Sequence, residues 1–311
     1  LYLDDQSFIL NAEKEIAMTE MTAMQKINQI TFKQQLRTYK RDPFSLLLVF
    51  LTYLCAILTI GVLFLLVGYI LIKGVPHLSR DLFALNYTSE NVSLFPALIN
   101  TILIVFLSLL VAVPLGIFSA VYLTEYAKKG NKLVGLVRIT AETLSGIPSI
   151  IYGLFGLLFF VGSLGMGYSI LAGSLTLSIM ILPLIIRTTE EALSAVPNSY
   201  REGSYALGAG KMRTVFQIVL PSAMPGILAG IILAIGRIVG ESAALIYTAG
   251  TVADIPGDLL SSGRTLAVHM YALSTEGMHV DQAYATAVVL IIVVIIINWL
   301  SSVSMKKFVK G

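Results

Sequence analysis

The chain has 311 residues, of which 56% are hydrophobic and 13% are charged, and its formal net charge at pH 7 is +3. It holds far more apolar side chain than one water-soluble core needs, so the sequence predicts a protein whose solvent is the bilayer. The small net charge, and the lack of a basic patch interleaved with aromatic residues, argue against a nucleic-acid partner. The single cysteine, Cys55, excludes an internal disulfide and a cysteine-based metal cluster.

Six apolar runs are each long enough to cross the hydrocarbon core as a helix, which takes roughly 20 residues. Their polarity does not alternate as it does in the strands of a membrane barrel, so the sequence predicts an all-α integral membrane protein. The first run is too long for the core of a signal peptide and is predicted to be an uncleaved anchor. The runs lie at about 45–72, 95–124, 134–162, 168–187, 221–247 and 282–304.

The positive charges predict how these helices cross the membrane. Nearly all of them lie before the first run, between the second and third, between the fourth and fifth, and after the sixth. Because cytoplasmic loops are enriched in Lys and Arg, these four segments and both termini are predicted to be cytoplasmic. These positive charges include Lys33, Arg37, Lys40, Arg41, Lys128, Lys129, Lys132, Arg138, Arg187, Arg201, Lys211, Arg213, Lys306, Lys307 and Lys310.

Three parts follow from this topology. Residues 1–43 are predicted to be a polar cytoplasmic segment, and residues 44–94 a first membrane helix with its outer loop. Residues 95–311 are predicted to form a five-helix core, with a cytoplasmic loop at about 190–221.

The stretch "YREGSYALGAGKMRTVFQIVLPSAMPG" is a long polar interruption in the middle of the chain. Pro197 ends the preceding helix, Asn198 or Ser199 can cap a short new helix, and Gly208 can form a tight turn. A second short helix is expected to end near Pro221. The stretch is therefore predicted to fold as a compact helix-turn-helix on the cytoplasmic surface. The alternative is a structured loop that only satisfies its own backbone.

This stretch resembles the signature of ABC importer permeases, which reads E-A-A, three residues, G, nine residues and I-x-L-P. The spacing agrees at every position, with two other small residues in place of the two alanines. In that family the loop is a coupling helix that docks into a cleft on a separate ATPase subunit. The resemblance implies a type I (MetI-like) permease core. The coupling residues it implies are Glu202, Gly203, Ser204, Gly208, Ile218, Leu220 and Pro221.

The sequence contains no phosphate-binding loop. Such a loop needs a glycine, four residues, and then Gly-Lys followed by Ser or Thr. Gly210-Lys211 is followed by Met212, and the position where the first glycine should stand is Tyr205. We therefore expect that this chain is not an enzyme and binds no cofactor, with ATP and Mg²⁺ on a partner ATPase.

Two further stretches narrow the resemblance to one substrate class. "AETLSGIPSIIYGLFGLLFF" (141–160) and "GRIVGESAALIYTAG" (236–250) are similar to runs in phosphate-specific ABC transporter permeases. The continuation "SAALIYTAG" and the outer "TLAVHMYALS" look more like the PstA permease than like PstC. The resemblance implies a bacterial inner-membrane importer of inorganic phosphate. It also implies a PstC-like second permease, a PstB-like ATPase dimer and a PstS-like extracytoplasmic phosphate-binding protein.

Two intramembrane charges are candidates for the substrate pathway. A charge at the centre of a membrane helix costs roughly 2.5–3.5 kcal/mol on insertion scales, so Arg237 and Glu241 are predicted to face the bundle interior or water. Their spacing of four places them on one helical face, where they can pair. The alternative to a role in translocation is a self-neutralising structural pair.

The third run carries hydroxyl groups beside helix-weakening residues. Gly146 and Pro148 are expected to loosen the backbone hydrogen bonds and kink this helix. Ser145 and Ser149 lie next to them and can contact an anion, or they can simply permit close helix packing. Packing alone is predicted for Pro114, Gly116, Gly153 and Gly156.

Three other functions are compatible with parts of the sequence. An importer of sulfate, molybdate or tungstate would share the coupling loop, but we do not expect it to keep both phosphate-type stretches. An intramembrane enzyme would need a catalytic constellation at membrane depth, and the six runs contain no Asp or His. A stand-alone secondary transporter is usually longer, with repeated halves, and the coupling loop argues against it.

Overall fold

The computed structural model describes residues 43–128 and 130–310. The chain divides into two compact units, residues 1–67 and residues 68–311. In the first unit, the described residues form the beginning of helix α1 (Pro43–Gly74). The polar segment predicted at 1–43 lies outside the described residues except for its last position.

The described part of the second unit is helical and contains no β-strand. Its α-helices after α1 are α2 (Phe95–Val121), α3 (Lys132–Ser145), α4 (Ser149–Gly156), α5 (Ile170–Ser194), α6 (Asn198–Ala206), α7 (Lys211–Thr214), α8 (Leu220–Val239), α9 (Ala243–Ile246), α10 (Leu266–Glu276) and α11 (Val280–Lys310). Short π-helical stretches extend α2, α4 and α7 at Tyr122–Tyr126, Leu157–Ser163 and Val215–Val219.

The predicted number of membrane crossings is confirmed for the described residues. Five continuous helical stretches are long and apolar enough to span a bilayer, and a bent pair of helices supplies the sixth. A helix closes its backbone hydrogen bonds within itself, which hydrocarbon requires because it offers no partners. The continuous stretches are Phe44–His77, Phe95–Tyr126, Ile170–Ser194, Lys211–Val239 and Val280–Leu300.

Helix α5 lies at the centre of the second unit, packed mainly against α2 and α8. Hydroxyl groups join α5 to α2, because Ser108 donates to the carbonyl of Ser174 at 3.1 Å and Ser178 donates to the carbonyl of Ser108 at 3.1 Å. Lipid provides no hydrophobic force between helices, so close packing and such interhelical bonds hold the bundle together.

Small residues allow these helices to approach closely. A Cβ atom added at Gly153 would lie only 2.8 Å from the Cα of Ala244, and one at Gly116 would collide with Ile185. The packing role predicted for both glycines is therefore confirmed. Together they fix the distance of α4 from α9 and of α2 from α5.

The third predicted run, 134–162, is two helices rather than one kinked helix. Helix α3 ends at Ser145, α4 begins at Ser149, and the two axes differ by 101°. Pro148 accounts for the break, because it has no N–H to donate and disfavours helical dihedral angles at Ile147. The break lies where the sequence predicted a kink, but the two helices meet at roughly a right angle instead of forming one bent helix.

The fifth predicted run, 221–247, differs from the structure at both ends. Helical structure already begins at Lys211 and continues without interruption to Val239. Pro221 lies in the first turn of α8, and the π-helical stretch before it accommodates the missing N–H. The loop helix therefore does not end near Pro221 as predicted. At the other end the helix stops, and α9 begins only at Ala243.

Candidate coupling surface and anion pathway

The predicted helix-turn-helix is present, and we call residues 198–214 the coupling hairpin. Gly208 has a φ of +83° in the turn between α6 and α7, a conformation that favours glycine. The start of α6 differs from its prediction. Pro197 occupies the cap position without a side-chain hydrogen bond, and Asn198 is already the first helical residue.

The implied coupling residues differ in exposure. Ser204 is buried and Ile218 and Leu220 are half-buried. The exposed ones are Glu202, Gly203, Gly208 and Pro221.

Ser204 has an internal structural role in the coupling hairpin. It is buried, and its hydroxyl forms a hydrogen bond of 2.8 Å with the hydroxyl of Thr214. Ser204 therefore holds α6 against α7 and is not available for a contact with another protein.

Large apolar side chains are exposed on the same coupling hairpin as Glu202. Leu207, at the tip, is 91% exposed. Contiguous exposed apolar side chains mark surfaces that other proteins cover. The large apolar residues exposed here are Tyr200, Tyr205, Leu207 and Met212.

A buried ion pair anchors the coupling hairpin to the membrane helices. The Nη2 atom of Arg201 lies 2.6 Å from Oε1 of Glu125, and both side chains are mostly buried. Arg201 also donates to the carbonyls of Leu193 at 2.9 Å and of Val196 at 2.8 Å, at the end of α5. In the sequence Arg201 stands out only as a positive charge of a cytoplasmic segment, and nothing there marks Glu125 as its partner.

A second contact joins the coupling hairpin to the same place. The ammonium group of Lys211 lies 5.0 Å from the ring centroid of Tyr126, a cation–π contact. Tyr126 and Glu125 both belong to the π-helical stretch that follows α2. The coupling hairpin is therefore attached to α2 from both of its helices, through Arg201 and Lys211.

Arg237 lies in the last turn of α8 and is half-buried. Its positive charge complements the negative end of the helix dipole. No ion pair between Arg237 and an acidic residue occurs within residues 43–128 and 130–310. The charge of Arg237 lies within electrostatic range of the hydroxyl of Tyr152.

The predicted pairing of Arg237 with Glu241 is not what the structure shows. Helix α8 ends at Val239, so Glu241 lies beyond it and the two residues do not share a helical face. Instead, Oε1 of the buried Glu241 accepts a hydrogen bond of 3.1 Å from the N–H of Ala244. The spacing argument failed because Gly240 ends the helix between them.

Tyr152 brings the predicted pathway residues into one region. Its hydroxyl donates to the carbonyl of Leu144 at 2.7 Å, across the break between α3 and α4. Leu144 precedes Ser145, and Ser149 lies one turn before Tyr152 on α4. Ser145 itself donates to the carbonyl of Glu142 at 2.7 Å. The two serines therefore flank the break between α3 and α4, and Arg237 lies within electrostatic range of Tyr152 on α4. The sequence pattern does not single out Tyr152 as a site residue, although Tyr152 stands inside the "PSIIYG" stretch.

Comparison with known proteins identifies a family over most of the core. Residues 112–311 match the family described as the binding-protein-dependent transport system inner membrane component. The probable ABC transporter permease protein YqgI of Bacillus subtilis is 37% identical over 82% of this chain and 94% of its own length. The phosphate transport system permease protein PstA 1 of Mycobacterium tuberculosis is 37% identical over 66% of this chain and 67% of its own length.

Solved structures share the fold at lower sequence identity. A bacterial ABC transporter involved in the import of the acidic polysaccharide alginate aligns with a TM-score of 0.61 and 18% identity, over 88% of this chain and 99% of its own. The MetNI methionine ABC transporter, in an inward-facing conformation, aligns with a TM-score of 0.56 and 23% identity, over 69% of this chain and 94% of its own. These similarities establish the MetI-like fold of the chain.

Proposed function

The chain belongs to the family of binding-protein-dependent transport system inner membrane components, and from this premise we propose that it is the permease subunit of an ATP-driven importer of inorganic phosphate. The names of its relatives, among them PstA 1 of Mycobacterium tuberculosis, support phosphate as the substrate. The chain forms half of the translocation pathway and pairs with a homologous, PstC-like permease. A PstS-like protein delivers phosphate outside, and a PstB-like ATPase dimer binds ATP and Mg²⁺ inside.

The observation that carries this proposal is the position of Arg237 beside the broken third span. Phosphate must cross a region of low dielectric constant that penalises its charge. A guanidinium group lowers that penalty, because its planar donors match the oxygens of phosphate in pairs. Since Glu241 bonds to α9 and not to Arg237, the guanidinium is available to an anion. Ser145 and Ser149 are the hydroxyl groups that we assign to the same route.

A continuous helical stretch connects this arginine with the ATPase side. Lys211 in the coupling hairpin and Arg237 lie on one uninterrupted stretch, Lys211–Val239. At 1.5 Å per residue, the distance between them along the axis is roughly 39 Å. A movement of the coupling hairpin on an ATPase therefore changes the position of Arg237, which couples ATP binding to the release of the anion.

Substitutions of Arg237 test the proposal in the reconstituted complex. Arg237→Lys keeps the charge but loses the planar donors, and we expect at least a tenfold loss of phosphate uptake, equal to about 1.4 kcal/mol. Arg237→Ala should abolish uptake while the subunits still co-purify. Arg187→Ala, at an exposed arginine outside the coupling hairpin, is the matched control and should keep normal uptake. Normal uptake by Arg237→Ala would exclude Arg237 from the phosphate route, and loss of assembly would show that Arg237 is structural.

A further inference from the structure

A second group of buried polar residues lies at the far end of the bundle from the coupling hairpin. Near the start of α2, the amide nitrogen of Asn100 donates to the carbonyls of Asp254 at 3.1 Å and Arg264 at 3.2 Å. Glu125, which holds the coupling hairpin, follows the other end of the same helix. The axial distance between Asn100 and Glu125 is roughly 37 Å. Arg264 therefore lies at the end predicted to face outward.

The guanidinium of Arg264 is buried without an acidic partner. The residue is 5% exposed, and its Nε and Nη2 atoms have no hydrogen-bond acceptor among the described residues. The guanidinium lies over the ring of Tyr87, whose centroid is 4.7 Å from Cζ. A buried charge with unsatisfied donors is strongly unfavourable, so an acceptor is expected in the working protein.

His269 adds a neutral donor and a neutral acceptor beside this charge. Its ring is fully buried, lies 6.2 Å from the ring of Tyr87, and has no hydrogen-bond partner for either nitrogen among the described residues, although the Val92 backbone lies nearby. Burial, and then the charge of Arg264, lower the pKa of His269 to about 3. At neutral pH one ring nitrogen therefore donates and the other accepts.

Asn100 contributes one more acceptor. Because its amide nitrogen donates to two carbonyls, the orientation of the amide is fixed and Oδ1 remains an acceptor. That oxygen is buried and unpartnered within residues 43–128 and 130–310. The unsatisfied atoms at this end of the bundle thus comprise both donors and acceptors, and one donor group is charged.

We propose that Arg264 and His269 form a binding site for inorganic phosphate at the outer end of the permease. This inference rests on the proposed function and adds a second anion contact to that of Arg237. Phosphate oxygens accept from the guanidinium, and at neutral pH phosphate also carries a proton that can be donated to the free nitrogen of His269. Sulfate carries no such proton and would leave that nitrogen unsatisfied. The site therefore prefers phosphate to sulfate.

Thermal unfolding of the full chain in lipid nanodiscs tests the site without any transport assay. Unfolding is followed at equal ionic strength in sodium phosphate, sodium sulfate and sodium chloride. Binding to the folded state raises Tm, and we expect a rise of roughly 5 °C in phosphate relative to the other two salts. An equal Tm in phosphate and sulfate would overturn the proposal and leave internal water as the partner of these groups. This comparison needs no variant.

Two substitutions then assign the effect to its residues. Arg264→Gln should remove the difference in Tm between phosphate and sulfate, whereas Arg80→Gln, at an exposed arginine of the outer loop, should keep it. Arg237→Gln removes the other proposed anion contact. A difference that disappears in Arg264→Gln but persists in Arg237→Gln belongs to this site, so a failure of the proposed pathway at Arg237 is distinguishable from a failure of this site. Loss of the difference in Arg237→Gln, with its retention in Arg264→Gln, would overturn the assignment.

Discussion

At the scale of single residues, Tyr152 connects the broken third span with the charge of Arg237. Tyr152→Phe removes the hydroxyl that bonds to Leu144 and keeps the ring. We expect a loss of about 1 kcal/mol in the free energy of unfolding, which lowers Tm by roughly 2–4 °C. Phosphate uptake should fall as well. Tyr168→Phe, at an exposed tyrosine, is the control, and equal behaviour of the two variants would contradict this role.

The lowered pKa of His269 predicts a pH-dependent stability. Above pH 6.5 the ring is neutral in both the folded and the unfolded chain. As the pH falls from 6.5 towards about 3, only the unfolded chain binds the proton, so the folded state loses stability. The loss attributable to this ring is at most about 1.4 kcal/mol per pH unit.

Unfolding curves between pH 7 and pH 5 check this prediction. His269→Gln should flatten the fall in Tm with decreasing pH, while the same substitution at His279 should leave it unchanged. A wild-type Tm that does not change over this range would show that His269 is not held neutral by the fold.

Some of these residues could be predicted from the sequence and others could not. Arg237 was found because an apolar run makes a charge conspicuous. Arg201 and Tyr152 were not singled out, because their roles depend on partners 76 and 8 residues away that only the fold brings together. Glu241 was misjudged, because helical spacing is meaningful only while the helix continues.

At the scale of helices, the ion pair between Arg201 and Glu125 is expected to transmit movement from the coupling hairpin to α2. Breaking a buried pair costs about 3–5 kcal/mol, because one charge remains unpaired. Arg201→Gln and Glu125→Gln should each lower both stability and phosphate-stimulated ATP hydrolysis. The double substitution should restore part of both, because no unpaired charge remains.

A double-mutant cycle measures this coupling energy. The exposed pair Arg187 and Glu191, four residues apart on α5, is the control and should show about 0.5 kcal/mol or less. If the two pairs gave equal coupling energies, the anchoring role of Arg201 would be disproved.

The presence of the membrane helices was easier to predict from the sequence than the residues at which they begin and end. Apolar length predicted all six crossings, because a bilayer sets that length for any sequence. Prolines were misread, since Pro148 separates two helices at 101° while Pro221 sits inside a continuous stretch. The difference depends on the neighbouring backbone, a π-helical stretch before Pro221, which residue type alone does not reveal.

At the scale of the whole molecule, the distribution of positive charge predicts that the coupling hairpin is inside and the loops 73–94 and 248–281 are outside. Single cysteines in a Cys55→Ser background report this orientation. Ser89→Cys and Asp258→Cys should react with an impermeant thiol reagent in intact cells, and Leu207→Cys should react only after permeabilisation. All three positions are exposed, so burial does not protect them. Labelling of Leu207→Cys in intact cells would reverse the topology.

The most direct test of the account is substrate uptake by the complete complex in proteoliposomes. The permease is reconstituted with its second permease, its ATPase and its binding protein, with ATP on the ATPase side. We predict ATP-dependent accumulation of radiolabelled phosphate, with no accumulation of sulfate or molybdate and none when the ATPase is inactivated. Accumulation of sulfate or molybdate in place of phosphate, or phosphate uptake that continues without ATP hydrolysis, would contradict the account.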